Sequence, residues 1–344
     1  MEMQAVITAA IDDAGGFVNA HAHFDRAFTL TPERLHLTSA PMTEKWVLNN
    51  DLKRTSTIDD YIDRIERAVL HMLQQGVRSC MTFVDVDPLT GLRALEAARI
   101  VRERYAQVMT LAIANQTLSG VLDPAARALF NSALDYVDIV GGLPSRDASN
   151  EEQHLDVLLS AARATGKAVH VHVDQANSPF ERETELLARK VIEYGLEGRV
   201  AAVHAISLGA HLAEYRRETY HLMREAGLTV VVCPSAALSM KALPYTAPIH
   251  NAIAPVPELL DAGINVALGT DNISDIYCPM NDGDLYTELR ILADACRFYD
   301  ISALIAIATA AVPGISRPGM ATNAPASRCI QFGASNVMDA LVLP

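Results

Sequence analysis

Residues 151–175 read EEQHLDVLLSAARATGKAVHVHVDQ. The segment begins with an amphipathic stretch, continues through Gly166 and ends in a short valine-rich run, which is the pattern of a helix followed by a strand. The same pattern recurs along the chain. The apolar runs that predict strands are residues 16–21, 77–84, 108–114, 137–141, 168–173, 200–204, 228–233 and 264–269. Strands that alternate with helices in this way over about 250 residues indicate a (β/α)8 barrel.

An open, doubly wound sheet is the alternative fold. That fold usually has a G-x-G-x-x-G turn after one of its strands, and none of the predicted strands is followed by one. The barrel is therefore favoured. We expect residues 16–312 to form a single barrel domain, preceded by an N-terminal extension over residues 1–15 and followed by a C-terminal segment over residues 313–344.

The composition disfavours several classes of protein. The chain of 344 residues has 28 Lys and Arg against 41 Asp and Glu, so its formal charge of −13 repels nucleic acids and anionic membranes. The acidic N-terminus lacks the pattern of a secretory signal, and the apolar stretch 301–315 is too short to cross a bilayer. The 5 cysteines include no C-x-x-C pair, which argues against a disulfide scaffold. We expect a cytoplasmic protein without nucleic-acid or membrane partners.

Histidines stand at the carboxyl ends of the predicted strands, where barrel enzymes have their active sites. The first strand runs into His21 and His23, which share one face because side chains alternate along a strand. The fifth strand ends at His172, the sixth ends at His204, and Asp271 follows the eighth. Three imidazoles and one carboxylate from separate strand ends would form a nitrogen and oxygen donor set, which suits zinc or ferrous iron.

A series of short segments occurs in one order along the chain. The segments are FVNAHAHFD, GVRSCMTFVDV, IANQTLSG, AVHVHVD, VAAVHAISL, VVVCP and INVALGTDN. Together they resemble the amidohydrolase superfamily, and more closely its cytosine deaminase-like branch. The resemblance covers the chain from Phe17 to about Pro279. It implies a (β/α)8 barrel and a metal-dependent hydrolase that acts on C–N bonds.

The resemblance also implies roles for individual residues. The metal ligands that it implies are His21, His23, His172 and Asp271. It further implies that His204 stabilises the nucleophile or the substrate and that Gln116 contacts the substrate ring. Residues 137–145 contain no lysine, so the binuclear version with a carbamylated lysine is not expected. We expect one divalent ion per chain, zinc or iron, with Asp271 as the catalytic base.

One departure from the branch concerns proton transfer. The branch usually has His-x-x-Glu after the fifth strand, whereas residues 172–175 of this chain read HVDQ. Gln175 stands where the glutamate is usual, and a glutamine cannot carry a proton. Three explanations remain open. Asp271 moves the protons alone, as in members that open cyclic amides; Asp174 substitutes for the glutamate; or catalysis is weakened.

A second departure lies in the predicted pocket, where Asn272 stands in place of an acid that is usual in the branch. The predicted catalytic residues are Asp271, His204 and Gln175, and the predicted substrate contacts are Gln116, Asn272, Asp174 and Tyr277. We expect hydrolysis of a small N-heterocycle, either by deamination or by opening of a cyclic amide. The alternatives are removal of an alkylamine or another leaving group from a similar ring, and a weakened barrel that only binds a metal or a ligand.

The resemblance raises one expectation about the termini. Amidohydrolases commonly carry a small β-sandwich, but only about 15 residues precede the first predicted strand. Residues 338–344 resemble one strand of that sandwich. We therefore expect the sandwich to be reduced or missing, and a homo-oligomer is a possible way to cover the exposed barrel surface.

Overall fold

Parallel strands lie side by side in chain order. The computed structural model describes residues 2–240, 242–243 and 252–317. Within these residues the strands are β1 (Val18–Asn19), β2 (Ser79–Asp85), β3 (Thr110–Gln116), β4 (Ile139–Gly142), β5 (Ala168–Val173), β6 (Val200–His204), β7 (Thr229–Val232) and β8 (Asn265–Leu268). Each strand pairs in parallel with the next one.

The last strand meets the first. The backbone N–H of Ala20 donates to the carbonyl of Leu268 at 2.9 Å, and the N–H of Asp271 donates to the carbonyl of His21 at 3.0 Å. We call this contact between β8 and the segment after β1 the seam. It joins the two ends of the sheet, which confirms the predicted (β/α)8 barrel.

Helices follow most of the strands and cover the barrel. In the described ranges they are α1 (Met3–Asp13), α2 (Met42–Leu48), α3 (Asn50–Thr55), α4 (Ile58–Gln74), α5 (Arg93–Tyr105), α6 (Pro124–Ala133), α7 (Glu151–Thr165), α8 (Glu183–Tyr194), α9 (Ala213–Glu225), α10 (Pro234–Ser239), α11 (Val256–Asp261), α12 (Leu285–Cys296) and α13 (Ile301–Ala308). Short 3₁₀ turns span Phe24–Arg26, Pro32–Ser39, Pro144–Asp147 and Ile206–Ala210.

Helix α4 illustrates how the sequence places a helix on the barrel. Thr57 accepts a hydrogen bond from the N–H of Asp60, whose carboxylate accepts from the N–H of Thr57, so a capping box starts the helix. Ile65, Val69 and Met72 recur at helical spacing and are fully buried. The apolar stripe therefore fixes which face of α4 packs on the sheet.

Glycines end helices where the next strand must begin. Gly166 follows α7 with a φ of 76°, and Gly195 follows α8 with a φ of 64°. These left-handed torsions are accessible to glycine without strain, since it has no Cβ. The predicted boundaries between these helices and the strands that follow are confirmed.

Strand β1 is shorter than the predicted run over residues 16–21. After Asn19 the chain bonds to β2 at single points: Phe83 donates its N–H to the carbonyl of Ala22 at 2.8 Å, and the N–H of Phe24 donates to the Thr82 hydroxyl at 2.9 Å. The segment over residues 27–56 follows, and it contains α2 and α3. It lies between β1 and α4, on the side of the barrel where the strands end.

The N-terminal extension is helical. Ile7 and Ile11 of α1 are buried, and α1 packs against α13. The C-terminal strand predicted over residues 338–344 lies outside the described residues, as does most of the predicted C-terminal segment. Of the helices that the structure describes, none combines the length and the apolar character that crossing a membrane requires.

Candidate metal centre

Five polar side chains converge at the carboxyl end of the barrel. His21 Nε2 and His23 Nε2 each lie 3.4 Å from Asp271 Oδ1, and His204 Nε2 lies 3.8 Å from Asp271 Oδ2. His172 Nε2 lies 3.4 Å from His23 Nε2. The side chains come from the segments that end β1, β5, β6 and β8. The structure thus brings together the residues that were predicted as metal ligands, with His204 beside them.

The donor atoms lie close enough together to share a metal ion. Two groups, His21 with His23 and His172, and His21 with His204 and Asp271, have donor atoms within 4.8 Å of one another. Both ring nitrogens of His21 are buried and have no hydrogen-bond partner among the described residues. Buried polar atoms normally have partners, so a metal ion would satisfy one of these nitrogens. The residues present therefore fit a divalent ion with nitrogen and oxygen ligands.

Burial sets the charges of the cluster. It lowers the pKa of His23 and His172 well below the usual range, and it lowers the pKa of His204 to about 4. Burial alone would raise the pKa of Asp271, but its interactions with His21 and His204 outweigh burial and hold the pKa well below its usual range. Neutral imidazoles and an ionised carboxylate are the forms that bind a metal.

One hydrogen bond orients His172. Its Nδ1 lies 3.1 Å from the carbonyl of Gly142, an acceptor, so Nδ1 carries the proton and donates it. The lone pair then resides on Nε2, which faces the cluster. A hydrogen bond on the far ring nitrogen is the usual way in which proteins orient a histidine ligand.

Three strand ends have unusual backbone torsions. Asp174, His204 and Asp271 are not glycines, yet their φ values are 53°, 79° and 59°. Such torsions cost energy in most residues and concentrate at functional sites. They turn the chain sharply after β5, β6 and β8.

A cavity opens beside the cluster. Its described lining residues include the predicted substrate contacts Gln116, Asn272 and Tyr277, and also Gln175, which was predicted as a catalytic residue. Gln116 is 2% exposed, and its Oε1 has no hydrogen-bond partner among the described residues. An unpaired amide oxygen at this position is suited to accept a hydrogen bond from a ligand.

Asp174 does not line the cavity, in contrast to its prediction as a substrate contact. Its carboxylate accepts hydrogen bonds from the backbone N–H groups of Glu183 at 2.8 Å and Thr184 at 3.2 Å. The left-handed torsion of Asp174 directs the side chain to the start of α8, where backbone N–H groups need acceptors. Asp174 is thus occupied in holding the loop that carries Gln175.

His170 also lies outside the cluster, although it precedes His172 by two residues on β5. Its Nε2 hydrogen-bonds the carbonyl of Pro313 at 2.8 Å. Burial lowers the pKa of His170 to about 4. It is a buried, neutral histidine of the barrel interior.

A buried ionic network lies next to the cluster, and its connections were not predicted. Arg26 Nη1 lies 3.2 Å from Asp85 Oδ1, and Lys53 Nζ lies 3.1 Å from Asp85 Oδ2 and 2.5 Å from Asp87 Oδ2. Arg26 Nη2 lies 2.5 Å from His23 Nδ1, which links the network to the cluster. Asp85 and Asp87 stand at the carboxyl end of β2, a position that favours a role near the active site. Lys53 lies in a segment without a recognisable motif, so its contact with them could not be predicted.

Helix α2 covers one side of the cavity. Met42 and Trp46 of α2 line it, and Arg146 stacks on the ring of Trp46 with its guanidinium carbon 4.5 Å from the ring centroid. The hydroxyl of Tyr277 donates to the carbonyl of Lys45 at 3.2 Å. These contacts hold α2 against the loops after β4 and β8.

Comparisons with known proteins agree with this architecture. Residues 15–318 match the model of the amidohydrolase family. An uncharacterized protein of Haemophilus influenzae is 45% identical over 250 residues, which cover 72% of this chain and 91% of that protein. The N-isopropylammelide isopropyl amidohydrolase of Pseudomonas sp. is 31% identical over 278 residues, and the alignment covers 78% of this chain and 65% of that enzyme.

Solved structures also resemble this chain. The 5-methylcytosine deaminase of Klebsiella pneumoniae, liganded with 5-fluorocytosine, has a TM-score of 0.79 and 25% identity, over 85% of this chain and 72% of that one. The N-isopropylammelide isopropylaminohydrolase of Burkholderia multivorans has a TM-score of 0.69 and 23% identity, with the same coverage, 85% of this chain and 72% of that one. The second likeness concerns the fold alone.

Proposed function

We propose a function for this chain from one premise: it belongs to the amidohydrolase family. It is accordingly a metal-dependent hydrolase that acts on non-peptide C–N bonds of small molecules. We propose that its substrate is a small polar N-heterocycle and that the reaction is deamination or opening of a cyclic amide. The convergence of buried histidines and Asp271 at one end of the barrel, in two overlapping groups of three donors, carries the proposal.

In this proposal one zinc or iron ion binds per chain, held by His21, His23, His172 and Asp271. A divalent ion bound there would polarise a water molecule and supply a nucleophile at neutral pH. Burial keeps His23 and His172 neutral, and interactions with the neighbouring histidines keep Asp271 ionised in spite of burial, so these three side chains are in metal-binding forms. The donor set does not distinguish zinc from iron.

The chain's own residues would handle the protons. Oδ1 of Asp271 faces His21 and His23, while its Oδ2 faces His204. We assign proton acceptance to Asp271, since its ionised carboxylate can hold a proton and return it to the leaving nitrogen. His204 is neutral at pH 7 and would hydrogen-bond the substrate oxygen or nitrogen on which negative charge develops.

The side-chain amides that line the cavity would position the substrate ring. Gln116 presents an unpaired Oε1 to the cavity, and Gln175 and Asn272 line it. Amides donate and accept hydrogen bonds but do not exchange protons under these conditions. This arrangement leaves Asp271 as the proton carrier and makes Asp174, which is bonded to the start of α8, unsuited to that role.

Removal of an alkylamine from a similar ring is the second candidate. It is favoured by the N-isopropylammelide isopropyl amidohydrolase of Pseudomonas sp., which is 31% identical over 278 residues. Both reactions break a C–N bond with water, and they differ in the leaving group. The products, ammonia or an amine, therefore separate the two candidates.

The test is the metal content of the purified protein. We expect about one zinc or iron per chain in the wild type by elemental analysis, and loss of the metal in His172→Ala. His170→Ala is the matched control, because His170 lies on the same strand but outside the cluster. Its metal content should equal that of the wild type.

A metal-loaded wild type would then be screened with N-heterocycles for release of ammonia or amines. A wild type that keeps its fold but neither contains nor takes up metal would contradict the proposal. Metal binding without any turnover would leave the weakened, ligand-binding barrel as the better interpretation.

A further inference from the structure

His154 is a fully buried histidine of α7 whose two ring nitrogens both form hydrogen bonds. The backbone N–H of Leu143 donates to His154 Nε2 at 3.2 Å, and His154 Nδ1 lies 2.7 Å from Asp147 Oδ2. Because a backbone N–H can only donate, Nε2 must accept. The ring proton therefore resides on Nδ1 and is donated to Asp147, so the two contacts fix the orientation of the ring.

The peptide bond between Gly142 and Leu143 lies between His154 and the proposed ligand His172. Its N–H donates to His154, while its carbonyl accepts from His172 Nδ1 at 3.1 Å. The C=O and the N–H of a trans peptide lie in one plane and point in opposite directions. The hydrogen bond at the N–H therefore limits the rotation of the carbonyl that orients His172.

The three hydrogen bonds all point from His172 towards Asp147. His172 donates to the carbonyl of the peptide, and the N–H of the same peptide donates to His154. His154 in turn donates to Asp147. We call these three bonds the hydrogen-bond series. Aligned hydrogen bonds polarise one another in a buried environment, so the series favours electron density on His172 Nε2, which faces the cluster.

Asp147 is a fixed, negatively charged end of the hydrogen-bond series. Its Oδ2 also accepts from the backbone N–H of Val121 at 2.8 Å, and its side chain is 10% exposed. Burial alone would raise the pKa of Asp147, but its hydrogen bonds with His154 and Val121 outweigh burial and lower the pKa. The carboxylate is therefore ionised at neutral pH.

Gly142 allows α7 to approach the end of β4 closely enough for these contacts. A Cβ at this position would overlap the side chain of Leu158 and lie 3.0 Å from His154 Nε2. Leu158 is fully buried on the same helix. The contact of His154 with the peptide is thus part of the packing of α7 against the barrel.

We propose that His154 and Asp147 are positioning residues for the proposed ligand His172 and that they strengthen metal binding through the peptide between Gly142 and Leu143. The inference rests on the proposed function, because it concerns a ligand of the same site. His154 would act on the ion only through His172. Removal of a partner that orients a histidine ligand typically lowers metal affinity by about ten- to a hundredfold.

The zinc affinity of the full chain, measured at pH 7 by competition with a chromophoric chelator, tests the proposal. His154→Leu removes the acceptor of the Leu143 N–H, and we expect its zinc affinity to fall about tenfold or more. His154→Gln restores an acceptor, because the amide Oε1 can take the place of Nε2. It should bind zinc at least about threefold more tightly than His154→Leu.

His211→Leu is the matched control. His211 is also buried, and its Nε2 hydrogen-bonds a backbone carbonyl, that of Glu181, at 2.7 Å. This contact joins the loops after β5 and β6 and takes no part in the hydrogen-bond series. The variant loses a buried histidine and its hydrogen bond, yet it should bind zinc like the wild type.

Asp147→Asn provides a second test, which decides the matter if His154→Leu does not fold. The variant keeps an acceptor oxygen and removes the negative charge, so we expect its zinc affinity to fall about threefold or more. The visible absorption of the cobalt-loaded protein is an independent measurement, because its bands depend on the geometry and donor strength of the ligands. The bands should shift in both variants of the series and match the wild type in His211→Leu.

Three results would overturn the proposal. They are wild-type zinc affinity and cobalt bands in the folded variants His154→Leu and Asp147→Asn, an equal loss of affinity in His154→Gln and His154→Leu, and the same loss in His211→Leu. A wild type that binds no zinc would overturn the proposed function together with this inference. Zinc binding that does not depend on His154 or Asp147 would overturn the inference alone.

Discussion

Gln175 is a neutral side chain in the wall of the cavity. It lines the cavity beside the proposed metal site and cannot exchange a proton. We expect Gln175→Glu to lower kcat for the native C–N hydrolysis about tenfold or more, because the new carboxylate adds negative charge next to Asp271 and the substrate. Steady-state kinetics with the metal content measured in parallel check this prediction.

Gln153→Glu is the control for that variant, since it makes the same change on the exposed face of α7. It should leave kcat unchanged. A gain of deaminase turnover in Gln175→Glu would show instead that glutamine disables an ancestral deaminase.

Glu288 of α12 is a buried acid with an incomplete set of partners. Oε2 accepts from the N–H of Ser235 at 2.8 Å, while Oε1 has no hydrogen-bond partner among the described residues. Burial raises the pKa of Glu288 from the ordinary value of 4.5 to about 8. Between these values the folded protein holds a proton that the unfolded chain releases, so stability falls as the pH rises through this window.

Glu288→Gln removes this titration and keeps the shape of the side chain. We expect the variant to be more stable than the wild type by roughly 4 kcal/mol near pH 8 and equal to it near pH 4. Thermal unfolding across this pH range measures the difference. Glu218→Gln, on the exposed face of α9, should show no such trend, and a pH-independent difference for Glu288→Gln would contradict the assignment.

Residue types could be predicted more reliably than side-chain directions. The alternation of a strand places His21 and His23 on one face, and the structure brings them within reach of Asp271. Asp174 occurs in an equally suggestive position, yet a φ of 53° turns it away from the cavity. Aspartate adopts left-handed torsions more often than most residues, but its presence after a strand does not by itself indicate one, so this difference could not be foreseen.

At the scale of elements, Lys53 anchors α3 to the end of β2. It is 4% exposed and contacts both Asp85 and Asp87. We expect Lys53→Met to lower the free energy of unfolding by about 3 kcal/mol or more, because it leaves Asp87 buried without its cation. Urea denaturation measures the loss.

Arg54→Met tests whether that effect comes from the buried pair. Arg54 is the next residue of α3, and its side chain is 55% exposed in a pair with Asp51. Exposed pairs contribute little, so this variant should change stability by less than about 1 kcal/mol. Equal losses in the two variants would show that α3 is sensitive to any substitution.

Elements with a strong periodic pattern were predictable, and short ones were not. Glycines and valine runs fixed the boundaries between α7 and β5, and between α8 and β6. The segment over residues 27–56 has no such period, since α2 and α3 are short and owe their position to contacts with other loops, such as Arg146 on Trp46. A short helix whose position depends on tertiary contacts has no clear periodic pattern in its own sequence.

At the scale of the whole molecule, the proposed ion would link three parts of the barrel, the segments that end β1, β5 and β8. A ligand that binds only the folded state stabilises it, by about 4 kcal/mol when the free ligand exceeds its Kd a thousandfold. We expect added zinc to raise the melting temperature of the metal-free wild type and to leave that of His172→Ala unchanged. If added zinc does not change the melting temperature of the metal-free wild type, this prediction is wrong.

The barrel could be predicted from the sequence because the same pattern, an amphipathic helix followed by a short apolar strand, recurs along the chain. The sandwich strand predicted over residues 338–344 falls outside the described residues and stays a prediction, as do the cytoplasmic location and the homo-oligomer. The N-terminal extension is better defined than expected, because Ile7 and Ile11 form a buried face that packs on the body of the protein. Two isoleucines at a spacing of four are too few to predict that packing.

The seam between β8 and the segment after β1 bears on how the protein is made. Asn19 and Thr270 hydrogen-bond across it at 3.0 Å although 251 positions separate them. The proposed ligands His21 and Asp271 lie beside these two residues. A nascent chain on the ribosome cannot complete the donor set until Asp271 has emerged, so a chain that terminates before Asp271 would have no complete site for the ion. Metal loading would thus separate chains that contain all the barrel strands from shorter fragments, which proteases would meet in their metal-free form.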